Sequence, residues 1–139
     1  MTIHLAYQQL LAELYEIYDH REAANIADMV IEHVTRQRKI DRIIYKDIPV
    51  NIEQQEQLQK IIRELLQHKP VQYVLQEAWF MDMKLRVSES VLIPRSETEE
   101  LVDWIISDIK KSGSKEISLF DIGTGSGCIP IAVRKKIPE

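Results

Sequence analysis

Cysteine, glycine and aromatic residues are all scarce in this chain of 139 residues, with one Cys, four Gly and 6% aromatics, and each scarcity removes a class of protein. A lone Cys128 cannot close an internal disulfide and has no Cys or His neighbour at metal-ligand spacing, so neither a disulfide framework nor a zinc site is encoded. Cys128 reads instead as a small packing residue. No apolar run approaches the roughly 18 residues of a membrane span, and the opening Met1-Thr2-Ile3-His4 lacks the basic start and apolar core of a secretory signal. A cytoplasmic monomer with no membrane partner is the expectation.

Charge of one sign is also missing. The formal net charge is −4, and residues 1–70 carry nine Lys/Arg against eleven Asp/Glu, half of the chain's 18 and 22, so the two halves are alike. Neither half has the basic excess that nucleic-acid binding demands, and no direct nucleic-acid partner is expected. The nearest thing to a basic patch, Arg36, Arg38, Lys39 and Arg42, falls where a helix should end and reads as cations placed on its macrodipole. His4, His20, His33 and His68 share no spacing and are assigned no chemistry.

What the chain does have is 45% hydrophobic residues, arranged first at helical and then at strand period. Ile3, Ala6, Tyr7, Leu10, Leu11, Leu14, Ile17 and Tyr18 form one apolar helical face; Ala23, Ile26, Ala27, Val30, Ile31 and Val34 form a second, entered through Asp19 with Glu22 as a capping pair. Residues 40–45 read as a short third helix. Asn51 can cap a further one, with Leu58, Ile61, Ile62, Leu65 and Leu66 inward and Lys69-Pro70 as its stop. Short connections make residues 1–70 a helical bundle of antiparallel neighbours.

From Val71 to Ile93 the period changes. Met83, Leu85 and Val87 alternate with Lys84 and Arg86, which predicts a β-hairpin linker over residues 71–93 with its turn at Met81-Asp82. After Pro94, Ser96 and Glu99 have the spacing of a capping box for a helix carrying Leu101, Trp104, Ile105 and Ile109, which Gly113 ends.

Three of the four glycines then fall within five residues, in Asp121-Ile122-Gly123-Thr124-Gly125-Ser126-Gly127-Cys128. Residues 117–122 are nearly all apolar and predict a buried strand that turns through the glycines into a helix accepting Pro130 in its first turn. Such a helix start presents free N–H groups to an anion, either a dinucleotide pyrophosphate or the carboxylate of a bound amino-acid moiety. A dinucleotide fingerprint requires a third glycine where Cys128 stands, so the D-x-G-x-G-x-G pattern favours the amino-acid reading. The plain alternative is a turn without a ligand.

The D-x-G-x-G-x-G string resembles the first motif of the Rossmann-like methyltransferases that use S-adenosylmethionine. Together with Lys69-Pro70-Val71-Gln72-Tyr73 and Ile93-Pro94-Arg95-Ser96-Glu97-Thr98-Glu99, and in this order after a helical bundle, it resembles the release-factor glutamine methyltransferases of the HemK/PrmC type. The chain departs from that pattern at Gln76 and Asp82, where the family usually has glycines, at Ser96, which replaces a proline, and at Pro130, which replaces a small helix former. The family's downstream Asn-Pro-Pro-Tyr motif does not occur.

The resemblance implies a mainly α chain made of a substrate-recognition bundle (1–70), the hairpin linker (71–93) and the first strand and helices of an incomplete methyltransferase domain (94–139). It further implies that Asp121, Gly123, Thr124, Gly125, Ser126 and Gly127 bind S-adenosylmethionine and that Leu92, Pro94 and Arg95 rim the substrate side of the pocket. An ion pair of Arg95 with Glu97 or Glu99 is the ordinary alternative. The implied partners are peptide-chain release factors, methylated at the glutamine of their Gly-Gly-Gln loop. No catalytic residue is expected in this chain, which is read as a truncated, inactive piece. A helical partner-binding module without catalysis and a related enzyme acting on a ribosomal-protein glutamine remain the competing readings.

Overall fold

A computed structural model describes residues 1–113 and 116–137. The elements run α1 (Ile3–Leu14), α2 (His20–Thr35), α3 (Lys39–Ile44), α4 (Ile52–Leu65), α5 (Val71–Leu75), β1 (Glu77–Phe80), β2 (Met83–Arg86), α6 (Ser96–Ser112) and α7 (Cys128–Lys136). The chain divides into two compact units, Met1–Leu75 and Gln76–Glu139. The mainly helical class with one antiparallel hairpin agrees with the sequence reading.

In the first unit the expected faces close on one another. Ile3, Leu10 and Leu14 of α1, Val30 and Ile31 of α2 and Leu65 of α4 are fully buried in a single core. The helix starts follow side-chain chemistry. Asp19 accepts the backbone N–H groups of Arg21 and Glu22 at 2.8 and 2.9 Å, and Asn51 exchanges reciprocal bonds with Gln54 in a complete capping box. Thr2 caps α1, and an isolated β-bridge of Thr2 with Pro49 ties residues 1–3 to the α3–α4 connection through Ile3 N–H to the Ile48 carbonyl (2.8 Å) and Val50 N–H to the Met1 carbonyl (2.9 Å).

Two expectations change in this unit. Residues 71–75, read as the opening of the hairpin linker, form helix α5, and Val71 and Leu75 lie in the helical core. Arg36 stands at the C-cap of α2 as expected, but the other three cations of the basic cluster are held in ion pairs. Arg42 is 7% exposed, its guanidinium lies 4.0 Å from the centre of the Tyr7 ring, and it pairs with Asp28, which also receives Lys39 at 2.6 Å. Arg38 pairs with Asp41 at 3.2 Å. The cluster therefore fastens α3 to α2.

The second unit is built on the hairpin. Its register pairs Glu77 with Arg86 and Phe80 with Met83, and its two-residue turn is Met81-Asp82, as expected. Both turn residues have positive φ, +48° and +59°, the geometry that matches the twist of a tight hairpin. Phe80, Met83 and Leu85 point inward against Val102 and Ile106 of α6 and Cys128, Ala132 and Val133 of α7. Cys128 is thus a packing residue.

The expected capping box of α6 does not form. Arg95 occupies the cap position without a side-chain bond, Ser96 Oγ donates to Glu97, and the Glu99 carboxylate accepts the Met81 N–H at 2.8 Å. Glu99 spans from the helix to the hairpin turn, and so is unavailable to its own helix start. Nor do residues 117–122 form a strand: they lie outside any β-ladder, and Phe120 and Ile122 are 88% and 85% exposed. A parallel strand requires a hydrogen-bonded neighbour, and none of the described residues supplies one.

Candidate functional site

The glycine turn owes its shape to backbone that only glycine adopts at low cost. Gly123, Gly125 and Gly127 have φ of +74°, +55° and +74°, and the Gly127 N–H closes the turn on the Thr124 carbonyl at 2.8 Å. Gly127 is the cap of α7, whose first internal bond runs from Ile131 N–H to the Gly127 carbonyl at 3.1 Å. Thr124 Oγ1 donates to Asp121 Oδ2 at 2.8 Å and so sets the orientation of that carboxylate. The Cys128 and Ile129 N–H groups at the start of α7, where Pro130 has none to give, and the Asp121 carboxylate give the segment donors for an anion and an acceptor for a cation.

Space above the turn is uneven. A Cβ at Gly123 would meet nothing within 4 Å and one at Gly125 only the Gly123 carbonyl at 4.0 Å, whereas one at Gly127 would press on the Ile131 side chain at 3.2 Å. The first two glycines leave bare main chain facing open space; the third accommodates its own helix. Beside them lies an open cleft of about 520 Å³ lined by Gln76, Arg86, Val87, Ser88, Val91, Gly125 and Ser126.

Of the residues singled out from the sequence, Gly125 and Ser126 line this cleft, while Asp121, Gly123, Thr124 and Gly127 belong to the turn without lining it. Leu92, Pro94 and Arg95 are not among the lining residues; Leu92 projects into solvent, and Arg95 makes no ion pair with Glu97 or Glu99 among the described residues. Sequence reasoning missed Gln76, Arg86, Ser88 and Val91. Arg86 was legible in part, because strand alternation turns it away from the core-facing Leu85. Gln76 sits at φ +56° with its carbonyl accepting the Val87 N–H at 3.1 Å, a placement that no periodicity announces.

Fold and turn define a class: a helical domain followed along the chain by a β-hairpin, a helix and a glycine-rich turn that opens a further helix. The profile of the PrmC N-terminal domain family matches residues 6–75, half of the chain. The chain belongs to that family. It is also similar to curated relatives named release factor glutamine methyltransferase: 37% identical over 132 residues to one from Flavobacterium psychrophilum (94% of this chain, 46% of the relative), 34% over 113 residues to one from Coxiella burnetii (81% and 40%), and 36% over 126 residues to one from Bacteroides thetaiotaomicron (91% and 44%). The chain thus spans about half the length of the relatives it matches.

Proposed function

We propose that this chain contributes the cofactor-binding turn and the helical domain of an S-adenosylmethionine-dependent enzyme that methylates the glutamine side-chain amide in the Gly-Gly-Gln loop of release factors. The observation that carries the reading is the bare backbone at Gly123 and Gly125, beside a carboxylate held by Thr124 and a helix start. These residues fit the amino-acid end of such a cofactor. Asp121 offers an anion to its ammonium group, and the turn from Gly123 through Thr124, Gly125 and Ser126 to Gly127 offers main chain and N–H donors to its carboxylate. When bound, the cofactor supplies an electrophilic methyl group on sulfonium.

An amide nitrogen is a poor nucleophile, so catalysis of this kind depends on position and on polarisation of the amide more than on a strong base. The turn's part is to hold one reactant still. Its three positive-φ glycines prepay the backbone ordering, since the turn is shaped before any ligand arrives. No residue of this chain is given a catalytic role. Leu92, Pro94 and Arg95 form the rim on the substrate side in this reading, and the chain alone is inactive.

Two measurements test it. Calorimetric titration of S-adenosylmethionine into the 139-residue chain should show weak or absent binding; tight binding would overturn the inactive-piece reading. A chimera in which this chain replaces the matched stretch of the Flavobacterium relative should methylate a release factor, and Gly125→Val in that chimera should lower kcat/KM at least 100-fold, because a β-branched residue at positive φ both strains the turn and fills the open space. Methylation of a ribosomal-protein glutamine in place of the release factor, or an indifferent Gly125→Val, would overturn the assignment.

A further inference from the structure

Strand β2 carries two cations on its exposed face, Lys84 and Arg86, and their surroundings differ. Lys84 is satisfied. Its ammonium donates to Glu77 Oε1 at 3.1 Å and lies 5.4 Å from the centre of the Trp79 ring. Glu77 stands directly across the ladder from Arg86, where an opposite charge pairs two strands, yet its carboxylate is turned to Lys84. Arg86 makes no ion pair or side-chain hydrogen bond among the described residues.

The backbone around Arg86 is held on both sides. Val87 N–H donates to the Gln76 carbonyl at 3.1 Å, which carries the pairing one residue past the strand, and Val87 itself is buried. The Ser88 carbonyl then closes a short loop by accepting the Val91 N–H at 3.0 Å. An uncompensated guanidinium therefore lines the same cleft as Gly125 and Ser126.

The start of α7 is by itself a weak holder of an anion. A helix N-terminus carries about half a positive charge, and Pro130 removes the N–H that the third residue of the helix would add, which leaves Cys128 and Ile129. A full cation beside the turn supplies what is missing. The carboxylate is the one anionic group of S-adenosylmethionine, and a guanidinium, which only donates, is repelled by the ammonium and the sulfonium and meets a carboxylate through two parallel charge-assisted bonds.

We propose that Arg86 is the charge partner of the cofactor's carboxylate, so that Arg86 and Asp121 between them read both charges of its amino-acid end. This assignment rests on the cofactor reading given above and deepens it. Arg86 selects for the carboxylate and takes no part in methyl transfer.

The test is calorimetric and uses the chimera described above with two ligands, S-adenosylmethionine and its decarboxylated form, which keeps the ammonium and the sulfonium and lacks the carboxylate. Arg86→Gln should weaken S-adenosylmethionine roughly tenfold and leave the decarboxylated compound unchanged, the loss of one charge-assisted contact. Arg86→Lys, which keeps the charge and loses the fork, should recover part of that loss. Lys84→Gln should change neither affinity, because Glu77 already meets that charge. Circular dichroism should be the same throughout, since both side chains are exposed. Equal weakening of both ligands by Arg86→Gln, an indifferent Arg86→Gln, or a loss in Lys84→Gln as large as that in Arg86→Gln would each overturn the proposal and leave the cofactor reading in place. A folded chimera that binds neither ligand would overturn both. If the chimera does not fold, the comparison is read in the 139-residue chain from the amide shifts of Gly125 and Ser126 at millimolar ligand: S-adenosylmethionine should move them more than the decarboxylated form does, and Arg86→Gln should abolish the difference. Shifts that do not distinguish the two ligands would overturn the proposal.

Discussion

The helical unit, Met1–Leu75, and the unit that begins at Gln76 are of similar length, yet among the described residues the first gathers seventeen buried ones into its core and the second eight. The second also leaves Trp79, Leu92, Trp104, Phe120 and Ile122 in water. The difference follows from where each kind of element finds its hydrogen-bond partners. A helix satisfies its backbone within four residues, so α1, α2 and α4 need from one another only an apolar face. A strand needs a neighbour that can lie far away in the chain, and residues 117–122 find none among the described residues. A region can therefore carry the apolar content of a core and still not bury it.

Truncating a side chain in each unit is the sharpest way to break this comparison. Leu65→Ala, at a fully buried position, should cost about 2–5 kcal/mol, while Phe120→Ala should cost nothing measurable. The optical signals separate the units, because all five tyrosines lie in the first and both tryptophans in the second. Urea unfolding followed by tyrosine signal should shift for Leu65→Ala, and tryptophan fluorescence should not move for Phe120→Ala. A large loss at Phe120 would mean that the second unit has a core reaching its glycine turn.

The polar fastening of α3 gives the next effect. Arg42 is nearly buried over the Tyr7 ring and shares Asp28 with Lys39, so Arg42→Ala should cost about 3 kcal/mol, the low end for breaking a buried pair because Lys39 remains. Burial opposes the ionisation of Asp28, but the hydrogen bonds and charges of Lys39 and Arg42 outweigh it and hold the carboxyl below its ordinary 3.8. A depressed acid contributes stability that is complete above the unfolded value and lost as pH falls through the folded one. The tyrosine-reported unit should accordingly lose stability as pH drops below about 4, and Asp28→Asn should flatten that fall. An unchanged slope in Asp28→Asn would assign the acid sensitivity to other carboxylates.

The same contrast explains what could be read before the fold was seen. The helical unit was legible almost residue by residue, since apolar period and caps such as Asp19 and Asn51 are local signals and the structure realises them. In the second unit a local signal was outcompeted by a distant one: Ser96 and Glu99 have the spacing of a capping box, but the hairpin turn brings the Met81 N–H within reach of Glu99. Residues 117–122 were legible as a strand in composition only, because composition says which side chains suit a sheet and nothing of whether the sheet is there. In the candidate site, the glycine turn declared itself through Gly123, Gly125 and Gly127, while Gln76 and Arg86 arrive through tertiary placement.

The smallest effect sharpens that last point. Gln76 and Asp82 carry side chains yet both adopt positive φ, +56° and +59°. For a residue with a Cβ that conformation costs roughly 1–2 kcal/mol, less for Asp, whose short polar side chain tolerates it. Gln76→Gly should therefore stabilise the second unit by about 1 kcal/mol net of the extra chain entropy that glycine brings to the unfolded state, and Asp82→Gly by less. Tryptophan-detected urea midpoints check both, and the tyrosine-detected transition should stay put. Because Gln76 also lines the cleft beside Gly125, a stabilising Gln76→Gly that leaves any measured cofactor affinity unchanged would mark the side chain as a tolerated departure in the hairpin, whereas weakened affinity would make Gln76 part of the binding surface.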